Sequence, residues 1–85
     1  MKIKVLYFAR IKEAVNYSSE EVDLPETVTS IATLKQWLSL RGETWNRLFN
    51  SEQVVRAAIN HTLVDNLASI QTGDEVAFFP PVTGG

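Results

Sequence analysis

Two short stretches at opposite ends of the chain carry apolar side chains on both faces of an extended strand. In residues 2–9, Ile3, Val5 and Tyr7 fall on one face and Lys4, Leu6 and Phe8 on the other, because successive side chains alternate. In residues 75–79, Val76 and Phe78 share one face and Ala77 and Phe79 the other. A strand with one wet face needs apolar residues only at alternate positions. These two need cover on at least part of both sides, which places them side by side at the centre of a sheet. If they run parallel, with a helix in the crossover between them, the connection is expected to be right-handed.

The intervening chain supplies the rest of that sheet and its cover. Residues 10–15 suit one helical turn, and Asn16-Tyr17-Ser18 a turn region. Residues 21–24 read as a second strand, with Val22 and Leu24 inward, Glu21 and Asp23 outward, and Pro25 as its end. Ser30 is a good N-cap for a helix over 31–41. Ile31, Leu34 and Leu38 form its apolar stripe, flanked by Trp37 and Arg41, and Gly42 sits where a left-handed C-cap is expected. A shorter helix over 43–49 presents Trp45, Leu48 and Phe49 together. Both tryptophans fit as anchors at the core or its edge. Residues 54–60 and 62–64 form a hairpin around Asn60-His61, where asparagine tolerates positive φ. Leu67 and Ile70 are expected to pin the next loop to the core. Gly73-Asp74 then turns the chain into the last strand. The order strand, strand, helix, strand, strand, strand gives an α+β architecture: a mixed sheet of about five strands with one main helix on one face.

Composition removes most chemistries. Eighty-five residues, 45% hydrophobic, make one domain with a modest core. A net charge of −2, scattered along the chain, offers no stripe for nucleic acid. No apolar run approaches the roughly 20 residues that cross a membrane. The first residues read as a strand and not a signal peptide, so a cytoplasmic location is expected. There is no cysteine and a single histidine, His61. Disulfides and thiolate catalysis are excluded, a metal site is not expected, and a histidine triad would need a partner protein. His61 fits better as a turn residue than as a chemical one. The chain is expected to hold no complete active site made of side chains.

The end of the chain offers a different kind of reactive group. Pro80-Pro81 stops the last strand, since proline lacks the N–H that a ladder needs. Residues 1–79 then form the domain and residues 80–85 an extended tail, reaching roughly 20 Å. Gly84 and Gly85 have no side chains, so a terminal carboxylate there could enter a narrow site on another protein. A Gly-Gly ending alone is equally at home on a frayed, inert terminus.

Three segments change that balance. Lys4-Val5-Leu6-Tyr7-Phe8-Ala9, Asn60-His61-Thr62-Leu63-Val64 and above all Gly73-Asp74-Glu75-Val76-Ala77-Phe78-Phe79-Pro80-Pro81-Val82-Thr83-Gly84-Gly85 resemble the small, sulfur-carrying subunits of molybdopterin synthases. The element order is similar to the ubiquitin-like β-grasp fold. The resemblance spans the chain, loosely over 14–30 and 42–53 and specifically over the last thirteen residues. It implies that an adenylating enzyme, using ATP and magnesium, activates the Gly85 carboxylate. A sulfur donor then leaves a thiocarboxylate, which the tail, with Gly84 beside the reacting group, carries into the large synthase subunit. There it donates sulfur to cyclic pyranopterin monophosphate. No cofactor is bound by the small subunit itself. Three alternatives share the sequence features: a thiamine-type sulfur carrier, a ubiquitin-like modifier joined to lysine through Gly85, and an interaction module with an inert tail.

The same strands suggest where a partner docks. With the end strands adjacent, Leu6, Phe8, Ala77 and Phe79 form one apolar patch at the root of the tail, and Leu63 joins it. One helix layer cannot cover both sheet faces, and exposed apolar clusters mark binding sites. Pro80, Pro81, Val82 and Thr83 continue the expected contact. The alternative is a patch covered by Pro80-Pro81 or a local loop.

Overall fold

The computed structural model describes residues 1–50 and 54–81. In chain order the elements are β1 (Lys2–Tyr7), α1 (Ala9–Val15), β2 (Ser19–Asp23), α2 (Ile31–Ser39), α3 (Glu43–Phe49), β3 (Arg56–Ile59), β4 (Thr62–Val64) and β5 (Glu75–Phe79). The strands form one mixed sheet in the order β2-β1-β5-β3-β4. The two strands that are apolar on both faces are neighbours: β1 runs parallel to β5, with Val5 opposite Val76 and Leu6 opposite Ala77. β5 also pairs antiparallel with β3, which makes it the central strand.

One face of the sheet carries the core. Ile3, Val5 and Tyr7 of β1 and Val76 and Phe78 of β5 are buried there, together with Ile11, Ile31, Leu34 and Leu38 from the helices. Each such side chain contributes about 1.5–3 kcal/mol on leaving water. The apolar stripe foreseen on α2 is the stripe that is buried. Its start is fixed by a reciprocal cap: the Thr33 amide donates to Ser30 Oγ at 3.2 Å, and the Ser30 amide donates to Thr33 Oγ1 at 2.9 Å. Two otherwise unpaired amides are satisfied in this way.

An aromatic group closes the core on the α3 side. Trp45 and Phe49 of α3 pack on Tyr7 and Phe78, with Phe49 edge-on to Phe78 at 5.0 Å. The Arg41 guanidinium lies 5.0 Å from the ring centre of Trp37 and 4.8 Å from that of Trp45. It also donates to Glu20 Oε2 at 2.7 Å, and the Tyr7 hydroxyl donates to the same oxygen at 2.8 Å. Both tryptophans are therefore anchors at the core edge.

Several details differ from the sequence reading. β1 ends at Tyr7 rather than at residue 9, because Ala9 turns to φ 54° and starts α1, which is a full seven-residue helix rather than one turn. β2 begins earlier, at Ser19, and β3 is confined to Arg56–Ile59. α2 stops at Ser39 with Leu40 as a right-handed C-cap, and the Leu40 and Arg41 amides close onto Trp37 and Leu38. Gly42 is not its left-handed cap; in an extended conformation it is the N-cap of α3. Leu67 does not pin its loop, being 85% exposed. Its amide donates to Asp65 Oδ1 at 2.9 Å in a local turn; Ala68 packs against the core in its place, and Ile70 is buried as expected. The Asn60-His61 hairpin forms as expected, with φ of 49° and 72°.

Candidate functional site: the open face of the sheet

With α1, α2 and α3 on the core side, the other face of the sheet lies open. Its composition follows from parity and register. Leu6 pairs with Ala77, Ala77 with Ala58, and Ala58 with Leu63, so four apolar side chains form one row across β1, β5, β3 and β4. Leu63 is 59% exposed, while Leu6, Ala58 and Ala77 are half-buried. The next row toward the tail holds Phe79 opposite Arg56. Phe8 joins it from beyond the end of β1: its backbone is extended, its amide donates to the Phe78 carbonyl at 3.1 Å, and its side chain is 48% exposed.

The opposite half of this face is charged, with opposite signs facing each other in register. Lys2 stands opposite Asp23, and Lys4 lies between Glu21 on one side and Glu75 on the other. His61 Nε2 lies 3.7 Å from Glu75 Oε1 at the hairpin tip. The face therefore divides into a charged half, with opposite signs in register, and an apolar half next to the exit of the chain.

Of the residues singled out from sequence, Leu6, Phe8, Leu63, Ala77 and Phe79 come together on this face, with half-buried Pro80 and Pro81 following directly on Phe79. Val82, Thr83, Gly84 and Gly85 lie outside the described residues. Ala58 and Arg56 were missed. Their signal was available: the inward Val55, Ala57 and Ile59 alternate with them, so once residues 54–60 are read as a strand they must share the face of Ala77.

Side chains elsewhere are committed to the fold. Lys35 Nζ donates to the Val55 carbonyl at 2.6 Å and to Asn66 Oδ1 at 2.8 Å, tying α2 to the β3–β4 side, and burial lowers its pKa. Burial first, and then the hydrogen bond to Glu20, push the Tyr7 phenol well above its usual value, so it stays protonated. Among the described residues no cluster of acidic, histidine or cysteine side chains could hold a metal ion, and no helix is long and apolar enough to cross a membrane.

A five-stranded mixed sheet with parallel central end strands, helices on one face and an apolar open face defines a ubiquitin-like β-grasp domain. Haloferax volcanii SAMP1 shares this fold at 20% identity, with a TM-score of 0.77 over the whole of both chains. The chain belongs to the ThiS family, whose model matches residues 5–85. It is 40% identical over 85 residues to the molybdopterin synthase sulfur carrier subunit of Escherichia coli (strain K12), covering 98% of this chain and 99% of that protein. A further solved relative is a chain of the complex of subunits 1 and 2 of molybdopterin-converting factor from Helicobacter pylori 26695. It is 26% identical, with a TM-score of 0.67 over the whole of both chains.

Proposed function

We propose that this chain is the sulfur carrier subunit of a molybdopterin synthase, with the carboxylate of Gly85 as its working group. The observation that carries this reading is the apolar row Leu6–Ala77–Ala58–Leu63, with Phe8 and Phe79 beside it, leading directly to the point where Pro80 and Pro81 end the sheet. A surface of this kind suits a protein partner, because burying it removes apolar area from water. The kinship with sulfur carrier subunits supports a large synthase subunit as that partner.

The chemistry follows from the group available. A carboxylate is a poor electrophile. An adenylating enzyme, with ATP and magnesium, joins the Gly85 carboxylate to AMP and releases pyrophosphate. A sulfur donor displaces AMP and leaves a thiocarboxylate. In the large subunit, that sulfur forms a new bond to a carbon of cyclic pyranopterin monophosphate as a carbon–oxygen bond at that carbon breaks, the oxygen leaving as water or with the phosphate. Cleavage of its bond to the Gly85 carbonyl by water returns the carboxylate. Two such transfers supply the two sulfurs of a dithiolene. The chain contributes no acid or base to these steps. Its parts are grip, reach and a terminus free of side chains.

Intact mass of the chain recovered from cells tests the proposal. A fraction heavier by the sulfur-for-oxygen difference, located to Gly85 by fragmentation and lost on deletion of Gly85, is the expected result. Conjugates to lysine through Gly85, with no thiocarboxylate species, would identify a protein modifier. A single unmodified mass, in cells that make the activating enzyme, would leave an inert interaction module.

A further inference from the structure

Among the described residues, the apolar half of the open face contains one cation, Arg56, and it makes no ion pair. Arg56 stands opposite Phe79 in the β3–β5 ladder, and its neighbour Ala57 is buried on the core side, so Arg56 shares the open face with Phe79 and Ala58. It is exposed. On the other half of the face Lys2 and Lys4 stand in register with Asp23, Glu21 and Glu75, and the position in register with Arg56, one beyond Val64, is Asp65. Asp65, just beyond β4, uses Oδ1 to hold the Leu67 amide at 2.9 Å.

We propose that Arg56 is a specificity residue of the docking face, and that it pairs with a carboxylate on the large synthase subunit beside the site where the tail enters. The inference rests on the docking reading given above. Covering Leu6, Ala58, Ala77 and Phe79 with an apolar surface alone would take the guanidinium out of water unpaired, which is costly. A partner that buries this row therefore supplies an acid at that point or leaves Arg56 at a wet rim. Arginine suits the first outcome, since its planar fork matches a carboxylate with two parallel hydrogen bonds. A charge so placed acts mainly on the rate of encounter and on the choice among partners sharing the same apolar grip.

The test compares association of the full chain with the large subunit at several ionic strengths, for wild type, Arg56→Lys, Arg56→Ala, Arg56→Glu and Leu63→Asp. Thermal melts first establish that each variant is folded. Arg56→Glu is expected to weaken binding at least tenfold at low salt, chiefly through slower association, and to flatten the salt dependence. The difference should shrink near 1 M salt, where screening falls to about 3 Å. Arg56→Lys should lie close to wild type, and Arg56→Ala between the two. Leu63→Asp reports on the face itself. If Leu63→Asp weakens binding while Arg56→Glu binds like wild type with the same salt slope, the docking face stands and the role of Arg56 is refuted. If neither variant changes binding, the partner docks elsewhere and both readings fail.

Discussion

Phe78 and Phe79 are adjacent in one strand and have opposite fates, so the same substitution at each separates core from docking face. Phe78 is fully buried, ringed by Tyr7 at 6.3 Å and Phe49 at 5.0 Å. Phe79 is half-buried on the open face, beside Phe8 and opposite Arg56. Phe78→Asp removes a buried ring, a loss of about 3–5 kcal/mol, and leaves an unpaired polar group there at about 1–3 kcal/mol more. Against a total stability of about 5–15 kcal/mol for a small domain, that is enough to unfold much of the population. Phe79→Asp meets water, so the isolated domain is expected to stay folded. Its cost falls on docking: about 1.5–3 kcal/mol of lost burial, or roughly ten- to a hundredfold in affinity, before any penalty for the new charge. Circular dichroism melts of both variants, followed by titration with the large subunit, provide the assay. Unfolding by Phe79→Asp with a native-like Phe78→Asp would overturn the assignment of faces. A folded Phe79→Asp that binds at wild-type strength would remove Phe79 from the interface.

Three further outcomes follow from local geometry. Ser30→Ala removes the oxygen that holds the Thr33 amide and should cost about 1 kcal/mol in denaturant unfolding; a neutral result would mean that Thr33 Oγ1 alone secures the start of α2. Ala9 occupies φ 54°, where a Cβ is unfavourable by about 1–2 kcal/mol, so Ala9→Gly should raise the melting temperature by a few degrees; a fall would show that glycine's extra unfolded-state freedom outweighs the relief. The raised pKa of Tyr7 means that the folded chain keeps the phenolic proton after the unfolded chain has lost it. Its contribution is complete below about pH 10 and is lost as pH rises above that value. Stability of Tyr7→Phe should therefore decline less steeply above pH 10 than that of wild type, and parallel curves would refute the assignment.

The sequence was most informative where one residue type had one physical use. Alternation alone put Ile3, Val5, Tyr7, Val76 and Phe78 inside, and Leu6, Ala77 and Phe79 on the other face. Asn60 was legible because few side chains tolerate positive φ in a tight hairpin. Ser30 was legible as a cap, but the return bond from Thr33 was not, since the usual partner at that position is a longer acidic or amide side chain. Gly42 was misread because a glycine between two helices satisfies the end of one and the start of the next equally well on paper; only the early stop of α2 at Ser39 decides between them. Leu67 was misread because hydrophobicity says nothing of a turn already fixed by Asp65. At the site, the face of Arg56 and Ala58 was legible from their alternation with Val55, Ala57 and Ile59, but their places opposite Phe79 and Ala77 were not. Those depend on the register of β3 against β5, which the hairpin geometry and the neighbouring strand set together.

That register also explains how a carrier can work through the end of its chain. β5 is the central strand, with β1 along one edge and β3 along the other. Its start is held as well: the Asn60 side chain donates to Asp74 Oδ1 at 3.0 Å and accepts from the Glu75 amide at 3.0 Å. Near its finish, the Phe8 amide holds the Phe78 carbonyl. The ladder cannot continue through Pro80 and Pro81, which have no amide hydrogen to give. The chain therefore leaves the sheet at a point fixed by its central strand. A partner that grips Ala77 and Phe79 holds that same strand and so determines where the chain enters it. Grip and reaction are thereby separable. Deleting Gly85 should leave affinity for the large subunit nearly intact while abolishing sulfur transfer. Phe79→Asp should leave the terminus open to chemical activation while preventing delivery.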